Sequence, residues 1–173
     1  MKSVPPRVGR FVSRWAPSPI GYREVVLTLS GVLTPMTTVT LSQLERIFAY
    51  AREADPAECC GLIGGSEDGR AKSIYSLRNV SAKTNVSYEA APEDLFAAQR
   101  QMRERSEELL AIYHSHPRSA EPTPSETDVR LAYYPQAVYF IIGLAGPQPV
   151  MRAFSILERE RRWQQVEYVI ADE

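Results

Sequence analysis

The chain has two histidines, and they stand one residue apart in Ile112-Tyr113-His114-Ser115-His116-Pro117. A polar, proline-broken loop leads from them to Ser125-Glu126-Thr127-Asp128. The apolar run before them, Leu109 to Ile112, predicts a buried strand. Side chains two apart on a strand share a face, so His114 and His116 present two imidazoles to one point in space. Asp128 can supply a third ligand if Pro124 and Ser125 open a helix, with Ser125 as N-cap and acidic residues in the first turn. Spacing alone leaves Glu126 and Glu121 as alternatives to Asp128. Two histidines and one carboxylate leave a fourth tetrahedral position for water, the pattern of a catalytic rather than a structural zinc site. Zinc brings the pKa of such a water to about 7. The bland alternative is a polar strand end followed by an ordinary helix cap.

A further carboxylate, Glu58, opens Glu58-Cys59-Cys60-Gly61-Leu62-Ile63-Gly64-Gly65, a short apolar strand closed by glycines that suit a turn. By composition alone Glu58 reads as a solvated strand end. Taken together, Glu58-Cys59-Cys60-Gly61, His114-x-His116-Pro117 and Ser125-x-x-Asp128 resemble the signature of the JAMM metallopeptidases of the MPN domain superfamily. The likeness continues through Asp128-Val129-Arg130-Leu131-Ala132, Tyr139-Phe140-Ile141-Ile142 and Arg152-Ala153-Phe154, and covers about residues 38 to 158. It is strongest toward small bacterial members that act on ubiquitin-like sulfur-carrier proteins.

The resemblance implies one Zn2+ per chain, held by His114, His116 and Asp128. It makes Glu58 the general base and acid, beside the metal but not bound to it, and gives Ser125 a hydrogen bond to the oxyanion. The implied reaction is hydrolysis of the bond after the Gly-Gly tail of a ubiquitin-like sulfur-carrier partner, releasing cysteine or another amine. One departure is the loop Pro117 to Pro124, a residue longer than the family's usual spacing. A surface loop absorbs one residue at little entropic cost. A different class, the MPN domains that have lost their ligands and only assemble complexes, is disfavoured because Glu58, both histidines, Ser125 and Asp128 are all present. A zinc deaminase would need Pro-Cys-x-x-Cys and His-x-Glu, and neither occurs.

The elements that position these residues come from an ordinary soluble composition: 173 residues, 44% apolar and 24% charged, enough for one domain with a core. A net charge of −1 without a basic stripe gives no case for nucleic acid, and no apolar stretch approaches a membrane span. The only cysteines, Cys59 and Cys60, are adjacent, so no disulfide framework arises; they read as small buried strand residues in a reducing cytoplasm. The sequence leaves the oligomeric state open, a homodimer included.

Residues 1–37 read as a leader and 38–173 as the domain. Residues 1–35 hold five of the thirteen prolines and a charge balance of +4 that leaves −5 for the rest, the composition of a disordered or loosely attached segment. Ser30 and Gly31 interrupt the apolar run Val25 to Leu33, which argues against a secretory signal, and Met36 is an alternative translation start. Thr38 to Leu41 predicts a strand, and Ser42 with Glu45 a capping box for a helix whose apolar face is Leu44, Ile47, Phe48 and Ala51, stopped by Pro56. Further strands are expected at Lys72 to Val80 and Val86 to Ala90, then a helix from Pro92 with a stripe of Leu95, Ala98 and Met102. A helix from Ser125 to about Tyr133 and strands at Ala137 to Leu144, Val150 to Leu157 and Trp163 to Ile170 complete the chain. The fold class is therefore α+β, an α/β sandwich with an MPN/JAMM-like mixed β-sheet flanked by helices.

Overall fold

The computed structural model describes residues 25–27 and 33–172. Most of the expected leader lies outside the described residues; within it, β1 (Val25–Leu27) pairs antiparallel with β2 (Leu33–Pro35). The domain proper starts with β3 (Thr38–Thr40) and α1 (Leu41–Ala54). Thr40, not Ser42, caps this helix: its Oγ1 accepts from the Gln43 N–H at 3.2 Å, and the Gln43 Oε1 accepts from the Thr40 N–H at 2.9 Å. Thr40 leaves its strand with extended backbone, as an N-cap requires, whereas Ser42 is already helical and its hydroxyl only meets that of Thr40 at 3.0 Å. The apolar stripe packs as expected, with Leu44, Ile47 and Ala51 buried and Phe48 partly so.

The strands β4 (Cys60–Gly65), β5 (Ala71–Leu77), β6 (Glu108–His116), β7 (Val138–Gly143), β8 (Val150–Leu157) and β9 (Arg162–Val166) form one six-stranded sheet in the order β5-β4-β6-β7-β8-β9. Only β6 and β7 run parallel, joined by a crossover that carries α3 (Glu126–Arg130); every other pair in this sheet is antiparallel. The central strands β6 and β7 are apolar on both faces because both faces are covered. One face, with Cys59, Ile63, Tyr113, Phe140 and Ile142, packs on α1; the other, with Cys60, Leu62, Ile112, Tyr139 and Ile141, packs on α2 (Pro92–Glu104) and α3. Gly61 is required between β4's neighbours, since a Cβ there would meet the Tyr113 ring and the Tyr75 carbonyl.

Three elements differ from expectation. Residues 86–90 form no strand; they close a loop whose β-type pairing is limited to the isolated Asn79–Ala90 bridge, because the side chains of Asn79, Ser81 and Ser87 satisfy much of its backbone instead. The last strand is broken. β9 stays on the main sheet, while β10 (Val169–Ala171) crosses to pair in parallel with β3, and Tyr168 wedges between them, edge-on to Phe140 at 5.0 Å and donating to the Met151 carbonyl. α3 is also shorter than the expected helix, ending at Arg130 before the turn at Tyr134 to Ala137. Among the described residues no helix is long and apolar enough to cross a membrane.

Candidate active site

His114 and His116 end β6, and Asp128 lies in the first turn of α3, which the crossover delivers beside the strand's C-terminal end. The His114 Nε2 is 3.1 Å from the His116 Nε2 and 3.2 Å from the Asp128 Oδ1; the His116 Nε2 is 3.2 Å from the Asp128 Oδ2. Ligand atoms about 2.0–2.1 Å from one ion at tetrahedral angles lie about 3.3–3.4 Å from each other, so these three groups are spaced to fit a single metal ion. They are the described residues whose ligand atoms cluster in this way. The alternatives Glu126 and Glu121 are exposed and outside the cluster.

Local sequence explains why Asp128 points inward. Ser125 is the N-cap of α3: its Oγ accepts from the Asp128 N–H at 3.1 Å, and the Asp128 Oδ2 accepts from the Ser125 N–H at 2.7 Å. This reciprocal box fixes the carboxylate rotamer before any ligand is considered. It also occupies a lone pair of the Ser125 hydroxyl and leaves its O–H free to donate. Burial alone would raise the Asp128 carboxyl, but its contacts with His114 and His116 and the Ser125 N–H outweigh that and hold it well below the usual carboxylate range.

The loop of 117–124 reaches Ser125 under tight constraint. Ser119 donates from its N–H to the His116 carbonyl at 3.0 Å and accepts from the Ala145 N–H at 3.2 Å, and Pro122 is fully buried. Gly143 makes room for it, since a Cβ would stand 2.5 Å from the Ser119 carbonyl oxygen and 2.8 Å from the Pro122 Cδ.

Glu58 precedes β4. The antiparallel register that sets Cys60 opposite His114 runs on toward Glu58 and His116. The Ser115 N–H donates to the Cys59 carbonyl at 3.1 Å, and the Cys59 N–H to the Ser115 Oγ at 2.9 Å, locking the two chain segments together. Glu58 is therefore not a solvated strand end: it is 6% exposed. Burial pushes its carboxyl up to about 7, with His116 pulling it down and Asp128 pushing it up. A carboxylic acid that ionises near neutrality, beside but outside the ligand cluster, is suited to take and return a proton. The thiols of Cys59 and Cys60 are free, buried and pushed up by that burial to about 11 and about 12, so they remain inert.

This arrangement can be compared with known proteins. Residues 40–157 match the family described as prokaryotic homologs of the JAB domain. The chain belongs to this family. It is 35% identical over 107 residues to a desampylase of Haloferax volcanii, spanning 59% of this chain and 76% of that one. Over 111 residues it is 29% identical to the CysO-cysteine peptidase of Mycobacterium tuberculosis, spanning 64% of this chain and 75% of the relative. A solution structure of a Desulfitobacterium hafniense protein matches with a TM-score of 0.70 at 34% identity, covering 80% of this chain and 94% of that one. The JAB match ends at Leu157, so β9 and β10 are additions to the matched region that still complete this chain's core through Val166, Tyr168 and Ile170.

Two residues near the site carried no signal in the sequence. Tyr88 stacks on the His114 ring, with centroids 4.7 Å apart and planes at 29°, and Asn79 hydrogen-bonds to the Glu58 carbonyl at 2.9 Å. They fall within the expected strands at Lys72 to Val80 and Val86 to Ala90, in no chemical motif, and only the tertiary arrangement brings them to the site.

Proposed function

We propose that this chain is a zinc-dependent peptidase that hydrolyses the bond after the Gly-Gly tail of a ubiquitin-like sulfur-carrier protein, releasing cysteine or another amine. The observation that carries the reading is the convergence of His114, His116 and Asp128 on one point beside the buried carboxyl of Glu58. The substrate class rests on the family and on relatives that include a CysO-cysteine peptidase and a desampylase.

His114, His116 and Asp128 hold the ion, one per chain. Zinc there supplies a Lewis acid that polarises a carbonyl and makes water acidic enough to react at neutral pH. In its ionised form Glu58 takes a proton from the attacking water as the oxygen joins the carbonyl carbon. It then passes that proton to the departing nitrogen as the C–N bond breaks, so the amine leaves neutral and the carrier leaves with a new carboxyl group, which gives up water's other proton to solvent or to the amine. Ser125, whose hydroxyl proton is not used by the cap, donates to the oxygen that gains charge in between. The capping box with Asp128 holds that hydroxyl in place.

The test presents the zinc-loaded chain with a ubiquitin-like carrier bearing cysteine on its Gly-Gly terminus and follows the carrier's mass. The expected result is loss of the cysteine mass with the wild type and none with Glu58→Gln, which still binds one zinc. Retention of the cysteine, and of lysine-linked conjugates offered in the same way, by a protein that demonstrably holds zinc would overturn the reading.

A further inference from the structure

The stretch between β5 and α2, residues 79–90, contains none of the ligands or proton carriers assigned above, yet it holds two of them. Asn79 spends its whole side chain on closing the loop and tying it to Glu58. Its Nδ2 donates to the Glu58 carbonyl at 2.9 Å and the Ser87 carbonyl at 3.1 Å, while its Oδ1 accepts from the N–H groups of Ser81 at 3.0 Å and Glu89 at 3.1 Å. Two donors and two lone pairs are all that an amide offers. The loop is closed by the Val80 N–H to the Glu89 carbonyl at 2.8 Å, the Ala91 N–H to the Arg78 carbonyl at 2.9 Å and the hydroxyl pair Ser81 and Ser87 at 2.7 Å. It also receives the Glu58 N–H at the Thr84 carbonyl, 2.7 Å away. Both backbone polar groups of Glu58 are thus bound to this loop, and the loop's far end presents Tyr88.

Tyr88 lies against a histidine with an unusual need. His114 is wholly buried, and its Nδ1 has no hydrogen-bond partner among the described residues. A histidine that ligates a metal through one nitrogen ordinarily donates from the other to a carbonyl or carboxylate, which fixes the plane of the ring. Among the described residues no such bond is made, which leaves packing to fix the plane. His116 meets the ring edge-on at 4.9 Å and leaves the plane free to tilt about that contact, whereas the stacked Tyr88 covers a face.

We propose that Tyr88 is a positioning residue for the metal site: its ring sets the plane of His114 in place of the missing hydrogen bond, and Asn79 anchors the loop that presents it. The proposal rests on the metal-peptidase reading, because it is read out as zinc affinity. It couples the seat of the general base to the orientation of a ligand through one hydrogen-bonded body.

The experiment measures zinc affinity of the full chain by competition with a chromophoric chelator, independently of turnover. Tyr88→Leu, which keeps apolar volume but removes the flat face, is expected to weaken zinc binding about tenfold or more, within the roughly 10–100-fold range of groups that orient metal ligands. Tyr88→Phe retains the stack and restores wild-type affinity, a rescue that a mere filler of space would not require. Asn79→Asp keeps the shape but removes both donors; it weakens zinc binding too, and the double variant with Tyr88→Leu is no weaker than Tyr88→Leu alone, because both act through one loop.

Wild-type affinity in Tyr88→Leu overturns the proposal, as does an equal loss in Tyr88→Phe or fully additive losses in the double variant. Should Tyr88→Leu fail to fold by circular dichroism, Tyr88→Met serves, with the same expectation and the same refutation. A wild-type chain that binds no zinc overturns the metal reading itself and the proposal with it; a wild type that binds zinc beside an unaffected Tyr88 variant overturns only the proposal.

Discussion

Replacing Glu58 by glutamine removes a carboxyl that the fold makes costly to ionise. In the metal-free protein burial raises this group from 4.5 to about 7. A raised folded-state pKa means that the folded chain holds the proton more tightly than the unfolded chain does. Below about pH 4.5 both states are protonated and burial of the carboxyl carries no charge penalty. Between about pH 4.5 and 7 the unfolded state ionises while the folded state does not, so stability falls steadily; above about 7 the loss is complete and flat. At about 1.4 kcal/mol per pKa unit, the full loss comes to roughly 3 kcal/mol. Glutamine is neutral throughout and escapes it. Urea unfolding of chelator-treated wild type and Glu58→Gln from pH 4.5 to 8.5 should show the variant gaining about 3 kcal/mol relative to wild type across that range, with nearly all of the gain accrued by pH 7.5. With zinc restored, a dication beside the carboxylate favours its ionised form, and the gain should shrink. A stability difference that stays flat with pH in the metal-free proteins would mean that Glu58 ionises in the fold as readily as in water, and the account of a buried, poised base would be wrong.

Because Glu58 must be ionised to accept a proton, the zinc-loaded wild type should lose kcat/KM on the acid side, with a midpoint below the metal-free value of about 7 since the dication favours the ionised carboxylate; a pH–rate profile with no acid limb would contradict that role. His116→Ala should abolish stoichiometric zinc binding, measured by metal analysis after gel filtration, while the fold persists, since His116 is a partly exposed strand end. Gly143→Ala should drive a methyl group into the Ser119 carbonyl and Pro122, lowering stability by about 1–3 kcal/mol and reducing kcat by shifting Ser125; an unchanged unfolding midpoint would show that the 117–124 loop yields freely. Thr40→Ala should cost about 1 kcal/mol in urea unfolding and Ser42→Ala close to nothing, the reverse of what the Ser42 and Glu45 pattern suggests.

Much of the site was legible because its signals are local. His114 and His116 share a face as a consequence of strand periodicity, and Ser125 with Asp128 forms a capping box in the first turn of a helix; both depend on neighbours within a few residues. The helical stripe of α1 and the buried strands β7 and β8 were readable for the same reason. Where two local patterns competed, the sequence misled. Thr40 and Ser42 are both plausible caps, and the choice fell to Thr40 because β3 pairs with β10, a contact made with residues at the far end of the chain. The run Trp163 to Ile170 reads as one strand, but it splits because Tyr168 finds a partner in Phe140 and its segment finds an open edge at β3.

By itself, then, the sequence determined the candidate ligand types, their spacing along each element, the cap that orients Asp128 and the alternation that lays down the sheet. Only the tertiary structure decided that the crossover from β6 to β7 brings α3 back to the strand end, that Glu58 is buried opposite His116 with its carboxyl raised, and that Asn79 and Tyr88 stand beside them. Bonding patterns over a few residues are encoded by the residues themselves. Burial, electrostatic coupling and ring stacking are properties of groups far apart in the chain, and their energies exist only once the sheet has closed around them.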